Sequence, residues 1–349
     1  MDQSLPTLKE IARRLNVSVS TVSRGLAGHT RIGFGTRMRV QQMAKELGYE
    51  PNPLAVNFRS KKTYIVGVIV PFVREEFFSN AICGIDGIAS QHNYTILFGQ
   101  SYDDIDNEIR LIDLMKRQRV DGLIISLSKA TSQTDHIDSL SRLNIPVVYF
   151  DRVPAADAVN KVYCDVQDGT TKLVDKLLAK GVRRIALING PDTLIASKDR
   201  LSGYMQSMAK FKLKVDMQRV QSTDFSVEST FQAMRKLMSM KAPPQAIVSF
   251  NDYVHMDAIQ YAIQNAIKIN DEVLFASFTN LPITSYTIHP PLMALEQYPY
   301  RQGESAMNML LQVIDNKSKG VESPLHAQVE VISPTLVEFT PGKSLLKFD

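Results

Sequence analysis

Residues 7–28 read TLKEIARRLNVSVSTVSRGLAG, and this stretch predicts two short helices joined by a tight turn. Thr7 and Glu10 have the spacing of a capping box, in which a hydroxyl and a carboxylate cap the start of a helix. Apolar residues then recur at helical spacing as far as Leu15. Asn16 interrupts the pattern, so the first helix is expected to end there.

The second predicted helix follows the turn, and Ser18 can cap it. Val22 and Leu26 are expected to face inward, and Gly25 and Gly28 to end the helix. The small polar residues and an arginine are left to face outward: Val19, Ser20, Thr21, Ser23 and Arg24. Short polar side chains allow a helix to approach base edges, and Arg24 could reach a guanine or a phosphate.

A third helix is predicted from a cap at Thr36 through Leu47, with Gly48 as its C-terminal stop. Two helices joined by a tight turn, the second presenting hydroxyls and an arginine, are typical of a helix-turn-helix. A plain three-helix bundle without a binding role is the alternative.

The segment 51–62, PNPLAVNFRSKK, separates these helices from the rest of the chain. A potential helix at Leu54–Arg59 with one large apolar side chain, Phe58, is typical of a segment that folds when its neighbour meets a partner. An ordinary basic inter-domain linker is the alternative interpretation.

The net charge of +4 conceals an asymmetry along the 349 residues. Residues 1–62 carry eleven Lys/Arg against four Asp/Glu, whereas the remainder carries 29 against 32. A basic head on a slightly acidic body indicates that the head meets a polyanion. Charge alone is equally compatible with a solvated basic face.

Several classes of protein lack support in the sequence. No run of about 18 apolar residues predicts a membrane span, and the first residues carry no export signal, so we expect a cytoplasmic protein. Cys83 and Cys164 are too few for a disulfide framework. The six histidines lack metal-ligand spacing, and no catalytic motif occurs. We therefore expect no cofactor, no metal and no enzymatic activity.

The remainder of the chain alternates strand-like and helix-like segments. Strands are predicted at 64–70, 94–98, 122–127, 147–150, 161–164, 185–189, 246–250, 274–278 and 293–296, and helices at 79–92, 105–117, 169–180, 227–240 and 256–265. Nearly continuous apolar strands that alternate with helices predict parallel sheets covered on both faces. The number of strands favours two such sheets over one.

Three motifs in the head resemble those of the lactose/galactose-repressor (LacI/GalR) family: T-V-S-R at 21–24, T-R-x-R-V at 36–40 and E-L-G-Y-x-P-N at 46–52. The resemblance extends over essentially the whole chain. It implies an all-α helix-turn-helix head at 1–50, a hinge helix and linker at 51–62, and an α/β core of the type I periplasmic-binding-protein fold at 63–349.

In that fold two Rossmann-like lobes are joined by three crossings, which we place near 162–164, 290–293 and 324–328. Lobe 1 is then expected at 63–162 and 293–325, and lobe 2 at 163–292 and 326–345. The ligand is expected in the cleft, where the strand ends of the two lobes face one another.

For DNA, the resemblance implies that Val19, Ser20 and Arg24 face bases in the major groove, and that Thr21 and Ser23 contact phosphate. The further residues expected to bind DNA are Thr7, Ser18, Thr36, Asn52, Leu54, Ala55 and Phe58. Residues 53–59 would form a hinge helix that lies, paired across a dimer, in the minor groove. Phe58 stands at or near the position of a family leucine that wedges between base pairs.

For the effector, the resemblance places seven residues in the cleft: Phe77, Phe78, Asp151, Arg200, Phe225, Asn251 and Thr279. Each of them taken alone is more typical of core packing, a surface charge or a helix cap. The shared register with the family favours the cleft.

One departure from the family bears on the effector. Family members carry an F-D-x motif whose aspartate binds ligand hydroxyls. This chain has Thr279 at the position of that aspartate. An effector with a ring and an anionic group, held by Arg200, is one expectation. A second expectation is that Asp151 or Asp103 binds the hydroxyls of an ordinary sugar in place of the missing aspartate. A third is that no effector binds.

We therefore expect a transcription regulator, and specifically a repressor, that binds an operator in double-stranded DNA as a homodimer. A small-molecule effector, a sugar or an anionic sugar derivative, would set its DNA affinity. The tail after Phe339 is too short for the heptad repeats of a tetramer. The rival hypothesis is a solute-binding receptor or a sugar-metabolising protein on the same core.

Overall fold

The computed structural model describes residues 6–49, 62–156, 158–319 and 327–339. The chain divides between Thr63 and Tyr64 into two compact units. The predicted hinge helix at 53–59 lies outside the described residues, as do Asn52, Leu54, Ala55 and Phe58.

The first unit contains three helices, α1 (Leu8–Leu15), α2 (Val19–Leu26) and α3 (Phe34–Leu47). The side chain of Thr7 accepts from the Glu10 N–H and that of Ser18 from the Thr21 N–H, so both predicted caps are confirmed. Gly48 ends α3 in the left-handed region at φ 62°, as predicted.

Two predictions for these helices are wrong. Gly25 does not end α2 but lies inside it, buried against α3, where a Cβ would come within 3.3 Å of Val40. Its role is therefore close helix packing, which the pattern of glycines alone did not distinguish from a stop signal. Thr36 does not cap α3, because that helix already begins at Phe34 after Gly33, which provides no side-chain cap.

The second unit contains two six-stranded sheets. The first has the order β11-β5-β4-β3-β1-β2, all parallel. Its strands are β1 (Ile65–Val70), β2 (Thr95–Gln100), β3 (Gly122–Ile125), β4 (Val147–Phe150), β5 (Asn160–Cys164) and β11 (Val329–Ile332). Its helices are α4 (Glu76–Gln91), α5 (Ile105–Gln118), α6 (Asp135–Arg142) and α11 (Pro299–Ser318). We call this sheet and these helices lobe 1.

The second sheet has the order β12-β10-β9-β8-β6-β7, parallel except between β10 and β12. Its strands are β6 (Ile185–Asn189), β7 (Val220–Ser222), β8 (Ala246–Ser249), β9 (Leu274–Ser277), β10 (Met293–Glu296) and β12 (Thr335–Glu338). Its helices are α7 (Val166–Ala179), α8 (Ile195–Lys210), α9 (Val227–Met238) and α10 (Asp252–Gln264). Together they form lobe 2.

The prediction of two mainly parallel sheets covered by helices is confirmed. All nine predicted strands are present within about two residues of their expected bounds, and three short or edge strands, β7, β11 and β12, were missed. Apolar side chains fill both faces of each sheet, since α4 and α11 pack on one face of lobe 1 and α5 and α6 on the other. In lobe 2, α7 and α8 cover one face and α9 and α10 the other.

The predicted lobe boundaries after residue 290 differ from the observed ones. β10 at 293–296 pairs with β9 and β12 and so belongs to lobe 2, and β11 at 329–332 pairs with β5 in lobe 1. The crossings therefore lie at 164–166, 296–299 and 332–335. The chain returns to lobe 1 only with the long helix α11. The apolar pattern of 293–296 predicted a strand there but did not indicate which lobe that strand joins.

None of the described helices is long and apolar enough to cross a membrane.

Candidate functional site

The outer face of α2 is polar and accessible. Ser20 and Arg24 are exposed, Val19 is 41% exposed, and Thr21 and Ser23 are partly exposed, whereas Val22 is fully buried. The helix is held from the buried side by packing against α1 and α3. The residues predicted to meet DNA therefore share an open surface on a rigid support.

Hydroxyl groups connect the start of α2 to its exposed face. Ser18 Oγ lies 2.8 Å from Ser20 Oγ and 2.8 Å from Thr21 Oγ1. The Arg24 side chain makes no hydrogen bond or ion pair within the described part of the chain, so its guanidinium is available for an external acceptor. Thr7 is exposed beside α1, and Thr36 is half-buried within α3.

A cavity of about 330 Å³ lies between lobe 1 and lobe 2 of the second unit. Both lobes contribute its walls at the carboxyl ends of their strands, which is where parallel α/β sheets bind ligands. Six of the seven predicted effector residues line it: Phe77, Phe78, Asp151, Arg200, Asn251 and Thr279. Phe225 does not line it directly but packs on Phe250, a lining residue, with 4.8 Å between ring centroids.

Arg200 on α8 is the most buried charge of the cavity wall, with 3% of the residue exposed. Its guanidinium carbon lies 4.0 Å from the centroid of the Phe250 ring and 5.3 Å from that of Phe278. Nη1 donates to the Ala196 carbonyl at 3.3 Å, and Nε is buried without a partner among the described residues. Burial lowers the pKa of Arg200 to about 10, so the group stays charged at neutral pH.

Asp151 follows β4 and occupies the left-handed region at φ 57°, a conformation that a short acidic side chain tolerates. Burial raises the pKa of Asp151 to about 6, and the positive charges of Arg152 and Arg200 and a hydrogen bond from Ser126 oppose that rise. Burial also raises the pKa of Glu75, another lining residue. The Asp151 carboxyl can therefore exchange a proton near neutral pH.

Sequence reasoning missed two polar networks behind the lobe 1 wall. Arg152 Nη1 forms an ion pair with Asp103 at 2.5 Å, so Asp103 is engaged and does not line the cavity. Glu108, fully buried, accepts hydrogen bonds from the Ser128 N–H, the Thr131 hydroxyl and His136 Nε2. These partners lie 20 to 49 residues apart in the chain, so spacing alone gave no signal for them.

Thr279 acts at the start of α10. Its Oγ1 accepts from the Asp252 N–H at 2.9 Å, and Asp252 Oδ2 accepts from the Leu281 N–H at 2.6 Å. Asn251 caps the same helix, with its Oδ1 accepting from the Val254 N–H at 2.9 Å. The threonine thus orders the cavity floor as well as lining it.

Asp252 is fully buried, and burial raises the pKa of its carboxyl to about 7 despite the hydrogen bond from the Leu281 N–H and the nearby hydroxyls of Ser277 and Thr279. The folded chain therefore retains a proton that the unfolded chain releases between about pH 4 and 7. The stability due to this proton is present below pH 4 and is lost as the pH rises through 7.

Asp252→Asn keeps an oxygen for the Leu281 N–H and cannot ionise. We expect the variant to gain stability over the wild type as the pH rises, by about 2–3 kcal/mol between pH 5 and pH 8, at about 1.4 kcal/mol per pKa unit. Urea unfolding at both pH values measures the gain. An equal difference between the two proteins at pH 5 and pH 8 would show that Asp252 does not titrate in this range.

The two lobes also contact each other across the cleft. Tyr253 Oη in lobe 2 accepts from the Glu76 N–H at 3.0 Å, and Glu76 Oε2 accepts from the Ile283 N–H at 2.9 Å. Lys129 Nζ in lobe 1 donates to the Asp224 carbonyl at 2.7 Å. Leu281 and Tyr253 of lobe 2 also pack against the apolar cluster of lobe 1, so the lobes are joined at the cleft by both polar and apolar contacts.

No cluster of acidic, histidine or cysteine side chains suited to a metal ion occurs within the described ranges.

The fold and the two sites define a helix-turn-helix protein with a ligand-binding core of two α/β lobes. Comparison with known proteins gives the same class. Residues 7–52 match the family of bacterial regulatory proteins of the lacI type. Residues 63–334 match the family of periplasmic binding proteins and sugar binding domains of the LacI family.

The chain therefore belongs to the LacI family. The transcriptional repressor CytR of Escherichia coli K12 is 29% identical over 336 residues, covering 93% of this chain and 94% of CytR. Catabolite control protein A of Priestia megaterium is 27% identical and covers 89% and 93%. A lac repressor dimer bound to operator and the anti-inducer ONPF is similar in fold, with a TM-score of 0.82, 22% identity, and coverage of 96% and 98%.

Proposed function

We propose that this protein is a repressor that binds a pseudo-palindromic operator as a homodimer and whose operator affinity is set by a small molecule bound between the lobes. The observation that carries the proposal is the outer face of α2, where Val19, Ser20 and Arg24 are accessible on a helix capped and packed from behind. That face fits the major groove, where base edges carry the sequence information.

The roles within the head follow from reach and chemistry. Val19, Ser20 and Arg24 contact bases, and Thr21 and Ser23, only partly exposed, contact phosphate. Thr7, Ser18 and Thr36 add further polar groups around the same helix-turn-helix. For Asn52, Leu54, Ala55 and Phe58 the hinge-helix role remains a hypothesis, because it falls on the undescribed segment.

The effector site is the cavity between the lobes, and Phe77, Phe78, Asp151, Arg200, Asn251 and Thr279 contact the ligand there. Phe225 acts indirectly, by packing on Phe250. A ligand that binds one arrangement of the lobes more tightly shifts the protein towards that arrangement. If the same arrangement sets the spacing of the two heads in a dimer, then ligand and operator affinities are reciprocally coupled.

A homodimer matches a two-fold operator and is supported by the lac repressor dimer of similar fold. Lobe 2 also exposes large apolar side chains near 286–288, where Tyr286 is 71% and Ile288 91% exposed. Exposed apolar groups of this size are typical of protein interfaces. Sedimentation of the full chain at micromolar concentration gives its oligomeric state.

The rival function is a solute-binding receptor or a sugar-metabolising protein. The curated relatives in the comparison are repressors or control proteins, so we propose that the chain has no catalytic activity. A regulator that acts on chromosomal DNA works in the cytoplasm, and we propose that location for this chain.

Fluorescence anisotropy with labelled duplex DNA tests the proposal. The full chain is expected to bind with an affinity that falls steeply as salt rises, because the basic head displaces counterions from phosphates. The matched fragment 64–349 is expected to lose DNA binding and to remain a soluble small-molecule binder. Equal DNA binding by the full chain and the fragment would contradict the proposal.

A further inference from the structure

A lysine side chain crosses the cleft from lobe 1 to lobe 2. Lys129 lies between β3 and α6, and its Nζ donates at 2.7 Å to the carbonyl of Asp224, which lies between β7 and α9. The same Nζ is 5.6 Å from the centroid of the Phe225 ring. A cation within about 6 Å of an aromatic face is attracted to it. Lys129 therefore contacts lobe 2 both through a hydrogen bond and through a ring.

The loop that carries Lys129 is anchored from behind by two buried acids. Asp103 Oδ1 accepts from the Lys129 N–H at 2.9 Å. Glu108 accepts from the Ser128 N–H at 2.7 Å and from the Thr131 hydroxyl at 2.9 Å. Ser128 and Thr131 also line the cavity. The lysine therefore extends across the cleft from a fixed part of the cavity wall.

The facing loop of lobe 2 has a strained conformation. Phe225 lies in the left-handed region at φ 73°, which is unfavourable for a bulky side chain. Thr223 Oγ1 accepts from the Phe225 N–H at 3.0 Å, and Asp224 Oδ1 accepts from the Ser226 N–H at 2.9 Å, so hydrogen bonds hold the loop in this form. The Phe225 ring packs on Phe250, a residue of the cavity wall. One ring thus connects the contact across the cleft to the cavity.

Arg152 of lobe 1 approaches the same ring, with its guanidinium carbon 5.8 Å from the Phe225 centroid. It forms its ion pair within lobe 1, with Asp103 at 2.5 Å. Among the described residues Arg152 makes no hydrogen bond to lobe 2, whereas Lys129 does. Lys129 is therefore the cation of this pair that joins the two lobes directly.

The contact of Lys129 lies on the side of lobe 2 away from the crossings. β7 is the edge strand opposite β12 and β10, and the crossings leave from β5, β10 and β11, the last of them leading into β12. The contact between Tyr253 and the Glu76 N–H follows β8, two strands nearer to the crossings. A bond at the end of β7 therefore opposes rotation of one lobe against the other about the crossings.

We propose that Lys129 is a positioning residue of the cavity, which holds the two lobes in the observed arrangement and fixes Phe225 behind the cavity wall without contacting the ligand itself. This inference rests on the proposed effector role of the cavity. A ligand that contacts both lobes needs the arrangement that Lys129 stabilises, so its apparent affinity follows the population of that arrangement.

Double electron–electron resonance between two spin labels measures the separation of the lobes in the full chain. Arg142→Cys on α6 and Lys236→Cys on α9 carry the labels, because both positions are exposed and their helices follow the two contacting loops. Cys83→Ser removes the exposed native cysteine, and the buried Cys164 is kept. An excess of unlabelled chain removes distances between the subunits of a dimer.

The labelled parent protein is expected to show one predominant short distance. Lys129→Met keeps an unbranched side chain and removes the charge and the donor. We expect this variant to populate a second, longer distance and to lower the ratio of the short-distance to the long-distance population by about 5- to 30-fold. That range corresponds to the loss of a cation–π contact and a hydrogen bond.

Two further variants separate the proposed role from a general effect on lobe 1. Lys129→Arg keeps a charged donor of similar reach and is expected to retain the short distance. Lys116→Met is the matched control, because Lys116 is a lobe 1 lysine that pairs with Asp113 on α5 outside the cavity. Its distances are expected to equal those of the parent. Urea unfolding of all variants separates lobe opening from loss of fold.

Three results would overturn the inference: coinciding distances in the parent and Lys129→Met, a long distance that persists in Lys129→Arg, or equal lengthening in Lys116→Met. Anisotropy with duplex DNA on the parent tells this failure from a failure of the proposed function. DNA binding with unchanged distances overturns only the role of Lys129. Loss of DNA binding by the full chain overturns the regulator and leaves the distance measurement valid.

Discussion

Arg24→Ala is expected to weaken binding of the full chain to its preferred operator by about 1–3 kcal/mol and to relax the base preference at one position in each half-site. The exposed Arg24 side chain has no partner in the described head, so the substitution is expected to remove the proposed contact to DNA and to leave the head fold intact. Anisotropy with the operator and with a set of single-base variants measures both effects.

Arg13→Ala is the matched control, since the Arg13 side chain is 80% exposed on α1 and makes a weak ion pair with Glu10 at 3.8 Å. Its loss is expected to change affinity for all sequences alike, if it changes at all. An equally uniform loss in Arg24→Ala would assign Arg24 to a phosphate contact instead of a base contact.

Gly84→Ala is expected to destabilise the core unit by about 3 kcal/mol or more, at the upper end of overpacking effects. A Cβ at this position would lie 2.1 Å from the Tyr300 carbonyl oxygen, and that neighbour is backbone. The substitution therefore forces α4 away from α11. Because the first turn of α4 contains Phe77 and Phe78, the same shift is expected to disturb the cavity wall.

Gly87→Ala, three residues further along α4, provides the control. A Cβ there would meet only the Tyr300 hydroxyl at 3.4 Å, the end of a flexible side chain. Replacement of a helix-interior glycine by alanine then stabilises by roughly 0.5–1 kcal/mol. Urea midpoints of the two variants are expected to move in opposite directions, and a fall of similar size in both would contradict the close-packing explanation.

The head and the strands of the core were predictable because they follow from local patterns. The hydroxyls of Thr7 and Ser18 precede helical stripes, and nearly continuous apolar runs match the buried strands. Glycine was ambiguous, since Gly25 allows α2 to approach Val40 at a place where the sequence suggested a helix end. Local sequence patterns specify the helices and strands, but they do not determine how these elements pack against one another.

Contacts distant in sequence account for most of what was missed. The Asp103–Arg152 ion pair joins two strand ends of lobe 1, and Glu108 binds a loop and His136. The edge strand β11 pairs with β5 of lobe 1, although 164 residues separate the two strands in the chain. Such pairings depend on tertiary topology, which no spacing in the sequence encodes.

Six predicted effector residues did come together, because each lies at or just after the carboxyl end of a strand or on the helix that follows it. Thr279 shows the limit of that reasoning. Its position in the cavity was predictable, whereas its hydrogen bond from the Asp252 N–H depends on how α10 starts beside β9. The threonine is therefore a structural group as well as a candidate ligand contact.

Selection of DNA from a random duplex library, followed by sequencing, tests the central claim of sequence-specific operator binding most directly. The full chain is expected to enrich one pseudo-palindrome with two half-sites, while the fragment 64–349 enriches none. Arg24→Ala is expected to lose the preference at one position of each half-site. Recovery of no common motif by the full chain, at a salt concentration where it binds DNA, would contradict the account.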